Sequence, residues 1–218
     1  MINETLKNYS KEQLIELIEG YCKNWLAMDG VWFQSVERKY GMDEAMEHDC
    51  AIWEKFTVIE AKRIKTFLNL PEHPGIEGLK QALKLRLYAN INRDEIITEG
   101  NTLIYRTTEC RVQHARSSKN MPLHPCKAVG IIEYSGFAKT IDSRFTCECL
   151  SCYPDITDNT LPLRMEVYSE GLVSGVFSAP FSVNLYSVFS VSVVTVPPVF
   201  HGAASFIVPA VTSPFSSK

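Results

Sequence analysis

Behind a capping box at Ser10-Lys-Glu-Gln13, apolar residues recur at spacings of three and four: Leu14, Leu17, Ile18, Tyr21 and Trp25. Glu12, Glu16, Glu19 and Lys23 fill positions between them. The pattern predicts an amphipathic helix, because side chains three and four apart share a face. Asp29-Gly30 is expected to break it, and a short second helix over 31–38 is expected to stop at Gly41. Asp43 is placed to cap a long third helix reaching about Leu68, with Met46, Cys50, Trp53, Phe56 and Ile64 at its apolar positions. Pro71 and Pro74-Gly75 close that helix. A fourth, about 76–89, sets Leu79, Leu83 and Leu87 on one face.

The period then changes. Glu95-Ile-Ile-Thr98 and Thr102-Leu-Ile-Tyr-Arg-Thr107 flank the connector Glu99-Gly100-Asn101, which predicts a β-hairpin. Residues 110–118 read as a short helix, 120–125 as a loop, 126–140 as a helix and 143–150 as a strand leading into the turn Tyr153-Pro-Asp155. About four helices followed by a hairpin and mixed elements specify an α+β fold, expected as one domain over 1–165.

Composition changes the picture at the C-terminus. Every Asp, Glu, Lys and Arg except Lys218 lies at or before Glu170. At the charge density of the preceding chain, residues 171–217 would carry roughly a dozen charged groups. A membrane helix is one reading of this Ser/Val/Pro-rich stretch, but Pro180, Pro197, Pro198 and Pro209 interrupt it, so no membrane span is expected. A β appendage is a second reading. The reading preferred here is a tail, 171–218, that packs poorly on the domain and has the character of a reading-frame shift product.

A hydrophobic content of 45% is enough for a real core, and a net charge of -3 offers no basic excess for nucleic acid. The stretch from Met1 to Lys7 lacks the basic start and apolar run of an export signal, and seven cysteines, an odd number, suit a reducing compartment. A cytoplasmic location is expected; the oligomeric state stays open.

Several segments together carry a resemblance: Asn24-Trp-Leu-Ala-Met-Asp-Gly-Val-Trp-Phe33, Gly41-Met-Asp-Glu-Ala45, Trp53-Glu-Lys-Phe56, Ile59-Glu-Ala-Lys-Arg63, Cys110-Arg-Val-Gln113, Pro125-Cys-Lys127 and Gly130-Ile-Ile-Glu-Tyr134. Over about 10–155 the chain resembles a functionally uncharacterised family of small cytosolic bacterial and archaeal proteins. That family is distantly similar to L-2-amino-thiazoline-4-carboxylate hydrolase-like proteins, which implies hydrolysis of a small cyclic C–N bond. Relatives follow the region of Cys149-Leu-Ser-Cys152 with a closing strand of the form Cys-x-Trp-x-Phe. Nothing after Asp155 matches it here, so completion of the sheet is in question.

Three constellations carry candidate chemistry. In Cys147-Glu-Cys149-Leu-Ser-Cys152 the last two thiols have a metal-site gap, and with a fourth ligand from Cys110, Cys126, His114 or His124 they would suit zinc or iron. The same thiols read alternatively as a redox or disulfide group, or as small buried core residues. Cys126 follows Pro125 at a helix start, where the dipole and Lys127 favour a thiolate nucleophile; His124 or Glu133 would be its base. The competing reading is that Pro merely suits a first turn. Arg111 would bind a carboxylate, with His114 beside it, and Trp25 and Trp32 would line a ligand cavity; solvated and core positions are the ordinary alternatives.

The leading expectation is thus a protein that binds a small molecule or metal through its Cys-rich C-terminal half. The alternative is a hydrolase of small cyclic amidines or amides with a Cys nucleophile. A third class, an interaction protein with structural cysteines, stands behind them.

Overall fold

The computed structural model describes residues 3–155 and the backbone of 164–167. The first helix, α1 (Lys11–Tyr40), starts where the sequence puts it: the Ser10 hydroxyl accepts from the Gln13 amide at 3.2 Å, and the Gln13 side chain accepts from the Ser10 amide at 2.9 Å. It does not break at Asp29-Gly30. A helix-interior glycine costs only about 1 kcal/mol relative to alanine, and tertiary packing overrides that. The stop comes at Gly41, whose φ of 95° is open to glycine, and Gly41 rather than Asp43 occupies the cap of α2 (Met42–Phe67). Trp25 meets Trp53 and Phe56, and Phe33 meets His124, which itself bonds Asp49, so α1 and α2 run antiparallel.

The fourth predicted helix is shorter than expected. It is α3 (Gly75–Leu83), followed by a 3-10 turn at Tyr88–Asn90. The hairpin of β1 (Arg93–Glu99) and β2 (Thr102–Glu109) is antiparallel, with Glu99 opposite Thr102 and Gly100 at φ 57° in the turn. Then come α4 (Arg111–Ser117), α5 (Lys127–Ile141), β3 (Glu148–Ser151) and β4 (Arg164–Val167). The predicted strand over 143–150 loses its first half to a turn. Asp142 accepts from the Arg144 amide at 3.2 Å and the Gly75 amide at 3.1 Å, and Phe145 N–H bonds the Asp142 carbonyl at 3.1 Å. Cys147 therefore precedes the strand that carries Cys149.

The described strands form one antiparallel sheet in the order β1-β2-β4-β3. A strand after Asp155, β4, does lie between β2 and β3, although it does not match Cys-x-Trp-x-Phe; at four residues it is too short for its period to be read. The tail, 171–218, lies outside the described residues. Among the described residues no helix is long and apolar enough to cross a membrane.

Packing of α5 between α2 and the sheet makes the main core. Phe137, Ile141 and Tyr134 of α5 join Ala61 and Ile64 of α2, Leu103 and Tyr105 of β2, and Leu79 and Leu83 of α3. The helices approach closely where the Thr57 hydroxyl donates to the Glu133 carbonyl at 2.7 Å. A Cβ on Gly136 would stand 2.7 Å from the Thr57 methyl. Gly136→Val should therefore overpack this crossing and cost about 1–3 kcal/mol in urea unfolding; an unchanged midpoint would show that the two helices can separate freely.

Candidate active site around Cys126

Cys126 sits just before the first residue of α5, and its carbonyl receives the Gly130 amide at 2.8 Å. Its own amide donates to the His124 carbonyl at 2.8 Å. That tight bend, continued by Pro125, presents His124 and Cys126 together. Gln113 of α4 holds the bend from outside: its side-chain amide donates to the His124 carbonyl at 2.8 Å and accepts from the His124 amide at 2.9 Å. The same Gln113 nitrogen lies 3.7 Å from the Cys126 sulfur.

His124 is 8% exposed, packed 4.9 Å from the Phe33 ring, and its Nε2 is 3.1 Å from the Asp49 carboxylate on α2. With Nε2 committed to Asp49, the imidazole stands close enough to Cys126 that each group shifts the other's pKa. A Cys126–His124–Asp49 relay results. Burial would lower the His124 pKa, but bonds to Asp49 and Cys126 overcome it and raise the imidazole to about 9. A hydrogen bond from the Cys152 thiol, opposed by burial and joined by His124 and Gln113, pulls the Cys126 thiol down to about 5. Between those limits the pair is thiolate and imidazolium.

The relay opens onto a cavity of about 960 Å³ bounded by α1, α2, α4, α5 and the end of β2. Such a volume accommodates a small organic molecule. Its wall mixes the rings of Trp53 and Tyr88 with Asp29, Asp49, Arg111 and His114. Burial, then the nearby Asp49 carboxylate, pushes Asp29 up to about 6 against the pull of His124.

Of the residues singled out by sequence, Cys126, His124, Arg111, His114 and Glu133 come together on this cavity. Glu133 is not placed as a base for Cys126. Its carboxylate pairs with Arg86 at 2.6 Å, deep in the interior, where burial against the counter-charge leaves it raised to about 7. Trp25 stacks on Phe56 behind the wall, with centroids 5.1 Å apart, and does not line it. Trp32 is 62% exposed and also lies off the cavity; the mixed exposure of α1 breaks the simple one-face pattern from which it was read.

The Cys147-x-Cys149-x-x-Cys152 cluster divides. Cys147 packs on the main core beside Ser135, where burial pushes its thiol up. Cys149 packs on the same core, whereas Cys152 is 0% exposed in the following turn, with its sulfur 3.2 Å from the Tyr153 carbonyl. Among the described residues no group of three or more His, Cys, Asp or Glu side chains is arranged to hold a metal ion.

Asp49 and Asp29 were missed by sequence reading, yet Asp49 carries a signal. It falls between Met46 and Trp53 on the apolar side of α2, a polar residue where burial demands a partner.

The chain belongs to DUF6125, a family of unknown function, whose model matches residues 7–165. No curated protein and no solved structure matches it. The matched region spans every residue of the relay and also Cys152.

Proposed function

We propose that this chain binds a small molecule in the cavity and hydrolyses a C–N bond in it, with Cys126 as nucleophile. The observation that carries the reading is His124, held at 3.1 Å by buried Asp49 and set on the cavity wall together with a half-buried Cys126. A core cysteine would need no such support; a nucleophile needs an oriented base. The remote similarity to L-2-amino-thiazoline-4-carboxylate hydrolase-like proteins agrees with a small cyclic amidine or amide, and Arg111 on the wall suits a substrate carboxylate. The metal reading is less well supported, since Cys147 belongs to the core. Free-thiol chemistry fits a reducing, cytoplasmic setting.

In this mechanism the Cys126 thiolate adds to the amide or amidine carbon. His124 gives its proton to the departing nitrogen as the C–N bond breaks, then takes a proton from the water that cleaves the thioester. Collapse of the resulting intermediate expels the Cys126 thiolate, and thiolate and imidazolium are both restored.

The test combines labelling with turnover. Cys126 should be alkylated by iodoacetamide at neutral pH well ahead of a model thiol and ahead of Cys147. A panel of small cyclic amidines and amides bearing a carboxylate should yield one that the chain hydrolyses, with activity lost in Cys126→Ser and KM raised in Arg111→Ala. Alkylation at the rate of a model thiol, or hydrolysis that survives Cys126→Ser, would overturn the reading.

A further inference from the structure

The last described turn is fastened to the start of α5. The Lys127 amide donates to the Tyr153 carbonyl at 3.2 Å, the Asp155 amide donates to the Cys152 carbonyl at 2.9 Å, and the Lys127 side chain pairs with Asp155. This clamp holds Cys152 against Cys126. The Tyr153 carbonyl oxygen lies 3.2 Å from the Cys152 sulfur and 3.9 Å from the Cys126 sulfur, so both thiols meet at one backbone atom. Access differs between them. Cys126 lines the cavity, whereas Cys152 is 0% exposed. An oxidant reaching this pair therefore meets Cys126 first.

We propose that Cys126 and Cys152 are a reversible disulfide pair, in which a small hydroperoxide entering the cavity oxidises Cys126 and Cys152 resolves the product. In the first step Cys126 sulfur attacks the terminal peroxide oxygen and the O–O bond breaks. Cys126 becomes a sulfenic acid, and the alkoxide or hydroxide released takes a proton from His124. In the second step Cys152 sulfur attacks the Cys126 sulfur and the S–O bond breaks. The hydroxide leaves as water, carrying the proton that Cys152 gave up. Two electrons pass from the two thiols to the peroxide, and an external dithiol returns them by exchange.

The neighbouring Cys126 and Cys149 thiols, and then burial, push the Cys152 thiol up, so Cys152 is a poor nucleophile while Cys126 is reduced. Oxidation turns Cys126 from a thiolate into a sulfenic acid and removes that neighbour's hold on the Cys152 proton, which leaves with the hydroxide. The arrangement thus keeps Cys152 protected until its partner is oxidised. Cys147, packed on the main core beside Ser135, takes no part.

This inference shares only the reactive Cys126 with the hydrolase reading, and the experiment separates them. The full chain is reduced, freed of reductant, treated with equimolar hydrogen peroxide, blocked with iodoacetamide and peptide-mapped without reduction. The expected result is a peptide linking Cys126 to Cys152, with both thiols lost together and both recovered by dithiothreitol. In Cys152→Ala, Cys126 should instead carry a sulfenic acid trapped by dimedone. A Cys149–Cys152 link, or wild-type Cys126 accumulating as sulfenic acid with no link, would overturn the proposal. Mapping of the wild-type chain decides the matter even if the variant does not fold. Rapid alkylation of Cys126 without a cross-link sinks the disulfide and leaves the nucleophile standing; a cross-link in a chain that hydrolyses no C–N substrate does the reverse.

Discussion

Arg86→Ala is expected to lower stability by about 3–5 kcal/mol, the usual consequence of leaving a buried charge uncompensated. Arg86 is 0% exposed, with Nε 3.0 Å from Glu60 and Nη2 2.6 Å from Glu133. Glu60 also accepts from the Leu87 amide at 2.8 Å, and the guanidinium sits 4.8 Å from the Phe137 ring and 5.0 Å from the Tyr134 ring. Burial would drive the proton off Arg86, but the two carboxylates more than reverse that. Removing the cation strands both carboxylates between α2 and α5 and opens a cavity among the rings. For a chain of this size the melting temperature should fall by roughly 6–20 °C. The deficit should shrink on acidification. Glu133 already has a raised pKa in the fold, and loss of Arg86 raises it further, so the folded variant binds protons more readily than the unfolded chain as pH falls. Replacing all three, as Arg86→Met with Glu60→Gln and Glu133→Gln, should recover most of the loss, because no buried charge remains. Urea unfolding at pH 8 and pH 5 checks each part; a single Arg86→Ala variant with wild-type stability would mean that water reaches the ion pairs.

The helices were legible because their signals are local. The capping box at Ser10, the spacing of Leu14, Leu17 and Trp25, and the glycine turn of the hairpin each act within a few residues. The break expected at Asp29-Gly30 failed for the opposite reason. Packing of Trp25 and Phe33 on either side of it, against α2 and the His124 loop, outweighs a weak local preference. The site followed the same division. Pro125-Cys126 at a helix start and the neighbouring His124 are local, so their placement together at the start of α5 could be read from the sequence. Asp49 reaches His124 from another helix, 75 positions away in the chain, and only a fold brings them together. Glu133 looked like a base because its apolar flanks announce burial, yet those flanks do not reveal that Arg86 is its partner. In the three-cysteine cluster the reading as small core residues holds for Cys147 and Cys149, which both pack against the main core, while Cys152 lies in the following turn at the Tyr153 carbonyl.

Asp49→Asn is expected to move the midpoint of Cys126 alkylation up by about one to two pH units, slowing alkylation about 10- to 100-fold below the wild-type midpoint and at most about two-fold at pH 7. The asparagine amide oxygen can still accept from His124 Nε2–H, so the tautomer and ring position are kept. What disappears is the negative charge. In the wild-type chain that charge holds the imidazole protonated up to about pH 9 despite burial, and the imidazolium helps hold Cys126 ionised down to about pH 5. Alkylation by iodoacetamide should therefore be nearly flat from about pH 6 upward. Without Asp49, burial takes His124 the other way, towards a neutral ring at pH 7, and Cys126 loses the cation across from it. Its pKa rises, and the alkylation profile moves to higher pH. The two profiles should converge in strong alkali, where every thiol is ionised. A merely structural Asp49 would give a different outcome: a lower melting temperature with the midpoint of the alkylation profile unmoved. That result would remove Asp49 from the relay and leave Cys126 dependent on Cys152 and the start of α5 alone.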